Sequence, residues 1–265
     1  MKNLILLSVM LIATVVMVNA QTMVADGESD TVVVGAQMPY AVTPDANVAL
    51  MVGAGILDAS QFDWTLPAAG GAIDMTAAGT GLFVEDSITV TWGAAPGSYS
   101  VSVAENSMRA GAPVCADPTP STITVEAVAL PTLNVTGTDA GDCAEQDYNV
   151  PLSLTGYGPW DITYNIDFAP LSGAPGNVAT GTVKSVGGEG DDVGTTATAF
   201  NLPILATELT AGSAGTYTVT VTNMDDRISN KALNGAAING TLATATYTIY
   251  VYPTPGTGAI RHVEN

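Results

Sequence analysis

An all-β protein built as two β-sandwiches in tandem is the fold this sequence predicts, and three observations carry the prediction. Gly (28), Pro (15) and abundant Thr, Ser and Val fill a chain poor in Lys, Glu and Leu, the strong helix formers. Apolar residues recur with period two rather than 3.6. One phrase also occurs twice, GSYSVSVAEN from Gly97 and GTYTVTVTNM from Gly215.

The strands follow from the alternation. Ile88, Val90 and Trp92 share one face, with Thr89 and Thr91 on the other. Tyr99, Val101 and Val103 come next, then Ile123 and Val125. The second half repeats the scheme with Tyr148, Val150, Leu152 and Leu154, then Trp160, Ile162, Tyr164 and Ile166. Tyr217, Val219 and Val221 follow, and Tyr247, Ile249 and Val251 close it. Thr and Ser occupy many outward positions, which suits a solvated sheet face. In each half a Trp (Trp64 in FDWTL, Trp160 in PWDITYN) precedes the repeated phrase, and a polar loop and a closing strand follow it. Duplication of one module explains a phrase repeated at domain spacing. A single larger barrel or jelly roll would alternate too, but has no reason to repeat itself. The modules are placed at 21–129 and 130–252, with the boundary within 128–133 and an extended tail at 253–265. Residues 168–215 are long for a sandwich loop and read as an insertion, either an extra edge hairpin or a partner-facing segment. No stretch beyond the N terminus shows helical periodicity.

Residues 1–20, MKNLILLSVMLIATVVMVNA, read as a cleaved signal peptide. Lys2 gives the basic start, residues 4–18 the apolar run, and Val18-Asn19-Ala20 the small-residue cleavage site. The run is short for a membrane span and polar residues follow at once. No cysteine follows it, which argues against a bacterial lipoprotein anchor. The mature chain is therefore expected to be exported and soluble. Six basic residues face 25 acidic ones, for a formal net charge of −19. No Lys or Arg occurs from 21 to 108 or from 110 to 183. Such a surface repels phosphate backbones and anionic lipid, which excludes nucleic-acid binding and electrostatic membrane docking. The acidity either keeps a β-rich protein soluble or holds divalent cations.

Several short strands, turn signals between them and one buried Trp per copy match an immunoglobulin-like sandwich. FDWTLP, SITVTWG, PGSYSVSVAEN and the Cys soon after them resemble the PKD-like or Ig-like modules of large secreted and surface proteins of Bacteroidota. DCAEQDYNVPLSLTGYGPWDITYNI is similar to a sister module with its Cys-containing opening and its Trp strand. The resemblance implies exported, non-catalytic sandwiches on a bacterial surface or in the envelope, of the type linked to type IX secretion or gliding. No sorting domain of that system follows VYPTP, so periplasmic residence stays open beside the cell surface. Modules of this kind tend to carry one Cys pair each, whereas here each half holds a single cysteine, Cys115 or Cys143. Two readings stay open. A Cys115–Cys143 bond is chemically permissible after export, and closing that loop would contribute about 3–4 kcal/mol. Alternatively, the two thiols are too far apart to meet.

Hard cations take several oxygens from flexible, Gly-containing loops. Acidic groups of that composition occur at Asp139, Asp142, Glu145 and Asp147, at Glu189, Asp191 and Asp192 within VGGEGDDVG, and at Asp225 and Asp226. None follows an EF-hand or nonapeptide calcium repeat, and a solvated turn is the simpler account of each. Glu189, Asp191 and Asp192 are the calcium candidate, and no other cofactor is expected. The tail, PTPGTGAIRHVEN, holds Arg261 and His262, the one His of the chain. It is a candidate peptide for docking onto another molecule's sheet, with a frayed terminus as the alternative.

Catalysis is not expected. A single tail His gives no credible base for a Ser-His-Asp or Cys-His arrangement. There is no His/Cys zinc cluster and no phosphate-binding loop, and no carboxylate pair is singled out. The expected function is that of a structural or interaction subunit, or accessory, of a cell-surface or envelope assembly concerned with adhesion, gliding or secretion. Its partners would be envelope proteins or further copies of itself. The alternative is a carbohydrate- or other ligand-binding sandwich, for which only Tyr157, between Gly156 and Gly158, is legible as an exposed aromatic.

Overall fold

The computed structural model describes residues 29–67, 70–74, 86–143, 146–209, 214–235 and 238–253. The expected signal peptide and the tail with Arg261 and His262 lie outside them. The first unit runs β1 (Ser29–Val33), β2 (Gln37–Ala41), α1 (Ala46–Gly53), β3 (Gln61–Thr65), β4 (Gly71–Asp74), β5 (Ser87–Trp92), β6 (Gly97–Arg109), β7 (Ala112–Ala116) and β8 (Ser121–Val128). One sheet has the order β1-β8-β6-β3, with β7 also on β6, and the other has the order β2-β5-β4. Val33, Val90, Trp92, Val101 and Val125 fill the space between them. The second unit runs β9 (Thr132–Val135), β10 (Asp139–Asp142), β11 (Tyr148–Tyr157), β12 (Trp160–Pro170), β13 (Gly176–Val186), β14 (Asp192–Ile204), β15 (Gly215–Asp226), β16 (Thr241–Leu242) and β17 (Thr246–Val251). Its sheets are β10-β17-β15-β12-β13 and β14-β11-β9-β16. No described strand pairs across residues 129–131.

The repeated phrase forms the middle strand of one sheet in each unit, β6 between β8 and β3 and β15 between β17 and β12. A strand covered on both edges and on its inner face needs β-branched residues at alternate positions. Val101 and Val103 are buried in the first copy, as are Val219 and Val221 in the second. The Tyr of each copy packs at the start of its strand. Tyr99 donates its hydroxyl hydrogen bond to the Ala95 carbonyl at 2.8 Å, and the ring of Tyr217 lies 4.5 Å from that of Phe168. Trp160, Ile162, Tyr164 and Ile166, alternating along β12, are fully buried. Each such apolar side chain contributes about 1.5–3 kcal/mol.

Two features depart from the sequence pattern. The helix α1 has no buried residue, so it shows no apolar stripe in the sequence; it forms because Asp45 caps it, accepting from the backbone N–H groups of Asn47 and Val48. The segment 168–215, expected to hold an extra edge hairpin or a partner-facing segment, consists largely of strands. It holds the end of β12 and all of β13 and β14, and the last two are the outer strands of the two sheets of the second unit.

The hairpin joining β6 to β7 turns through Ala110 and Gly111, both with positive φ (52° and 75°). Two positive-φ residues in a two-residue loop give the turn whose twist matches antiparallel strands, and it favours Asn-Gly. Ala pays a steric cost in that conformation. Ala110→Asn is therefore expected to stabilise the protein by about 0.5–1 kcal/mol, read as a higher urea midpoint at unchanged slope.

The strand registers orient the units. Gly97 lies opposite Ala127, beside the linker, whereas Arg109 lies at the other end of β6. In the second unit Asp226 pairs with Trp160 near the linker, and Gly215 pairs with Val251 at the far end. The two sandwiches therefore follow one another head to tail. Each has one end at the joint and one free end.

Candidate functional site

The joint between the units is organised by a carboxylate. β15 ends at Asp226, and the chain then turns back toward the first unit. Asp226 is fully buried. Its Oδ1 accepts from the N–H groups of Ile228 (3.1 Å) and Ser229 (2.7 Å), and its Oδ2 accepts from the N–H of Tyr157 (3.0 Å). Ser229 Oγ accepts from the Asp226 N–H and donates to the Asp226 carbonyl. A buried carboxylate persists only when its oxygens are filled in this way. Arg227 locks the same turn from outside. Its Nε donates to the Gly158 carbonyl at 3.0 Å, and its Nη2 reaches both oxygens of Asp192 at 2.9 Å.

The turn held by Asp226 reaches into the first unit. Ile228, Ala232 and Ile238 are buried in the same apolar cluster as Val33, Ala36 and Trp92, and Tyr157 packs against it. Backbone groups complete the contact. Leu233 N–H donates to the Gln37 carbonyl at 2.8 Å, Gln37 N–H donates to Asn234 Oδ1 at 2.8 Å, and Asn234 Nδ2 donates to the Gly35 carbonyl at 3.1 Å. These bonds occupy the outer edge of β2 where a further strand would pair. Pro39, which has no N–H, blunts the next outward position.

A second polar cluster lies on the outer face of the second unit. Asp161 on β12 stands opposite Asp225 on β15, and Asn223 Nδ2 donates to Asp225 Oδ2 at 3.0 Å. Asn223 Oδ1 and Asp225 Oδ1 are buried with no hydrogen-bond partner among the described residues. Burial pushes the Asp225 carboxyl above its ordinary range, the Asn223 bond opposes this, and the charges of Asp161 and Asp226 add to it. A carboxyl with a raised folded-state pKa stabilises the fold in its protonated form, and that contribution is lost as pH rises through the raised value. Asp225→Asn keeps the group neutral at every pH. It is expected to be more stable than the parent at neutral pH, with the difference closing below the ordinary Asp pKa; urea titrations at the two pH values read this.

A third cluster ties the sheets of the second unit together. Tyr164 donates to Glu208 Oε1 at 2.6 Å, and Lys184 pairs with Glu208 Oε2 and donates to the Pro203 carbonyl at 2.5 Å. Burial pushes the Glu208 carboxyl up, but the bonds from Lys184, Tyr164 and the Leu205 N–H outweigh it and hold the group below its usual range. Burial, followed by the bond to Glu208, pushes the Tyr164 hydroxyl up. A locked carboxylate and a locked phenol form a cross-brace rather than an acid–base pair.

The residues singled out from sequence fall as follows. Glu189, Asp191 and Asp192 do not converge; no three His, Cys, Asp or Glu side chains among the described residues gather as a metal site. Asp192 is bound to Arg227, and Asp191 Oδ2 accepts from the Gly188 N–H of its own turn at 2.7 Å. Cys115 and Cys143 are exposed, and no disulfide joins them. Cys115 pairs with Ser107 toward the free end of the first unit, and Cys143 follows β10 at the free end of the second. Each therefore lies roughly 30 Å from the joint at 3.3 Å per strand residue, on opposite sides of it, whereas a disulfide needs Cα atoms within about 7 Å. Tyr157 is half-buried against the first unit rather than displayed. Among the described residues the exposed aromatics are Tyr250 and Tyr252, whose rings lie 6.2 Å apart and within 14° of parallel. Asp226 was singled out with Asp225 as an acidic group and read as a solvated turn, whereas it is fully buried; Ser229 and Asn234 escaped the sequence reading. The signal for the roles of Asp226 and Ser229 was the Asp-x-x-Ser spacing in DRIS, a pattern in which side chains satisfy nearby backbone N–H groups.

Strand order and core make the chain an all-β tandem of immunoglobulin-like sandwiches. Among the described residues, no helix is long and apolar enough to cross a membrane. No protein-family model matches the chain, and no curated protein does. Among solved structures, the four N-terminal Ig domains of Dscam1 isoform 6.9 align at 10% identity, covering 85% of this chain and 43% of that one, with a TM-score of 0.24. Isoform 9.44 aligns at 9% identity, covering 86% and 43%, with a TM-score of 0.24. This chain thus spans less than half the length of those chains, and at such scores the likeness adds nothing to what the strand order establishes.

Proposed function

We propose that this chain is an exported, non-catalytic building block of a bacterial cell-surface or envelope assembly, serving adhesion, gliding or secretion by presenting two sandwiches as one stiff unit. The observation that carries this reading is the joint. A flexible linker would leave two independent domains, whereas a fully buried Asp226 and the Leu233–Gln37 and Asn234–Gly35 bonds tie the units together. Fixed end-to-end geometry is what a structural subunit uses and a soluble enzyme has no need of. Protein partners or further copies follow from it. The test is cross-linking in intact cells with a photoreactive residue placed at exposed Leu50 and, separately, at exposed Leu171. Adducts with surface or envelope proteins, or with the chain itself, are expected. A freely diffusing protein that yields no adduct from either position overturns the proposal.

A ligand-binding role is the second reading, and Tyr250 with Tyr252 is the observation that favours it. Two exposed, near-parallel rings with hydroxyl tips suit the apolar faces of a neutral glycan. Calorimetry with neutral oligosaccharides should show heat that Tyr252→Ala abolishes.

A further inference from the structure

Asn-Gly occurs twice in the return from β15 to β16, at Asn234-Gly235 and at Asn239-Gly240. At this dipeptide an asparagine side chain is most open to attack by its own backbone. Glycine has no Cβ to hinder its nitrogen from reaching the preceding side-chain carbon, and it reaches backbone angles that other residues avoid. Asn239 is exposed. Asn234 lies at the joint, and both ends of its amide are used there. Its Oδ1 accepts from the Gln37 N–H at 2.8 Å, and its Nδ2 donates to the Gly35 carbonyl at 3.1 Å.

The docked joint withholds the reaction. Attack requires Asn234 Cγ to swing over the Gly235 nitrogen, whereas the two bonds hold the side chain toward the first unit. The nucleophile is engaged as well, because Gly235 N–H donates to the Ala232 carbonyl at 3.0 Å. Both restraints go when the turn leaves the edge of β2.

The chemistry needs only water. The Gly235 nitrogen gives its proton to water and bonds to Asn234 Cγ. The Cγ–Nδ2 bond breaks, and the amide nitrogen takes up a proton and leaves as ammonia. Water then opens the cyclic imide at either carbonyl, which gives aspartate or isoaspartate. Neither product restores the contact. Aspartate can still accept from Gln37, but it sets an oxygen against the Gly35 carbonyl where Nδ2 had donated, and two facing acceptors repel. Isoaspartate also routes the main chain through its Cβ, which displaces the neighbouring Leu233 N–H from the Gln37 carbonyl.

We infer that Asn234-Gly235 is a modification site guarded by the joint. Its spontaneous deamidation is slow while the two units are docked and fast when they part, so it turns a reversible opening into a permanent loosening. This rests on the reading of the joint as the source of stiffness, and it sets a limit to the lifetime of that stiffness.

Peptide mapping by mass spectrometry during incubation in mildly alkaline buffer tests it, with the aspartyl and isoaspartyl peptides separated by chromatography. In the folded protein Asn234 should convert at least about tenfold more slowly than in the same chain unfolded in urea. Asp226→Ala, which frees the turn, should move that rate toward the unfolded one. Gly235→Ala should suppress conversion and leave the joint intact, because a methyl group there meets nothing closer than the Ser229 carbonyl at 3.5 Å. Asn234→Asp should speed amide exchange at Leu233 about tenfold, whereas Asn239→Asp, which adds the same charge at an exposed position, should not. Four results each overturn the inference: folded Asn234 converting as fast as unfolded, no conversion even when unfolded, Gly235→Ala converting like the parent, or Asn234→Asp leaving Leu233 as protected as before. Any of them in a parent whose Leu233 amide is protected leaves the stiff joint standing. A parent with no protection at Leu233 sinks both.

Discussion

Asp226→Ala should cost about 3–5 kcal/mol, the range seen when a buried charged or hydrogen-bonded network loses its central member. Removing the carboxylate leaves the N–H groups of Tyr157, Ile228 and Ser229 buried without acceptors, and each orphaned donor costs about 1–3 kcal/mol before relaxation. The three are not additive, because the turn can rearrange once it is freed. Asp226→Asn is the sharper variant. It keeps the volume but sets an NH2 group against N–H donors, so it should fall between parent and Ala. The consequence for function is read separately. Ile228 and Leu233 reach the first unit only because this turn is fixed, so their amide exchange should speed up, and the maximum dimension from small-angle scattering should broaden. A variant that loses stability while the joint keeps its protection would leave Asp226 as a local brace and remove the ground for a stiff two-unit rod.

How much of this was legible in the sequence depends on the kind of residue. Strands whose inner face carries large side chains, such as β12 with Trp160, Ile162, Tyr164 and Ile166, are written plainly because burial demands period two. β13 and β14 were hidden. As outer strands they meet solvent along much of their length and use Gly, Ala and Thr, which read as loop. The α1 helix left no trace because it buries nothing. Asp226 was misleading in a different way. An Asp pair after a strand reads as a solvated turn, and only the fold reveals that one of the two carboxylates, Asp225, lies near the surface while the other is enclosed.

Gly156→Ala is the other substitution expected to have a large effect, and it tests the same joint from the opposite strand. Gly156 sits on β11 at a register shift with φ +104°, a conformation that side chains rarely adopt. A methyl group there would stand 2.6 Å from Asp226 Oδ2 and 2.8 Å from Pro131 Cβ, the latter in the linker itself. Backbone strain of about 1–3 kcal/mol and overpacking of similar size give an expected loss of about 2–5 kcal/mol. The two contributions separate in a double-mutant cycle. In the Asp226→Ala background the carboxylate that the methyl strikes is gone, so the overpacking share should largely vanish while the strain stays. The double variant is thus expected to be more stable than the sum of the single losses predicts, by about 1–2 kcal/mol. Additive losses would mean that the methyl is rejected by the backbone alone, and that Gly156 is there for the bend of β11 and not to make room for the carboxylate that holds the joint.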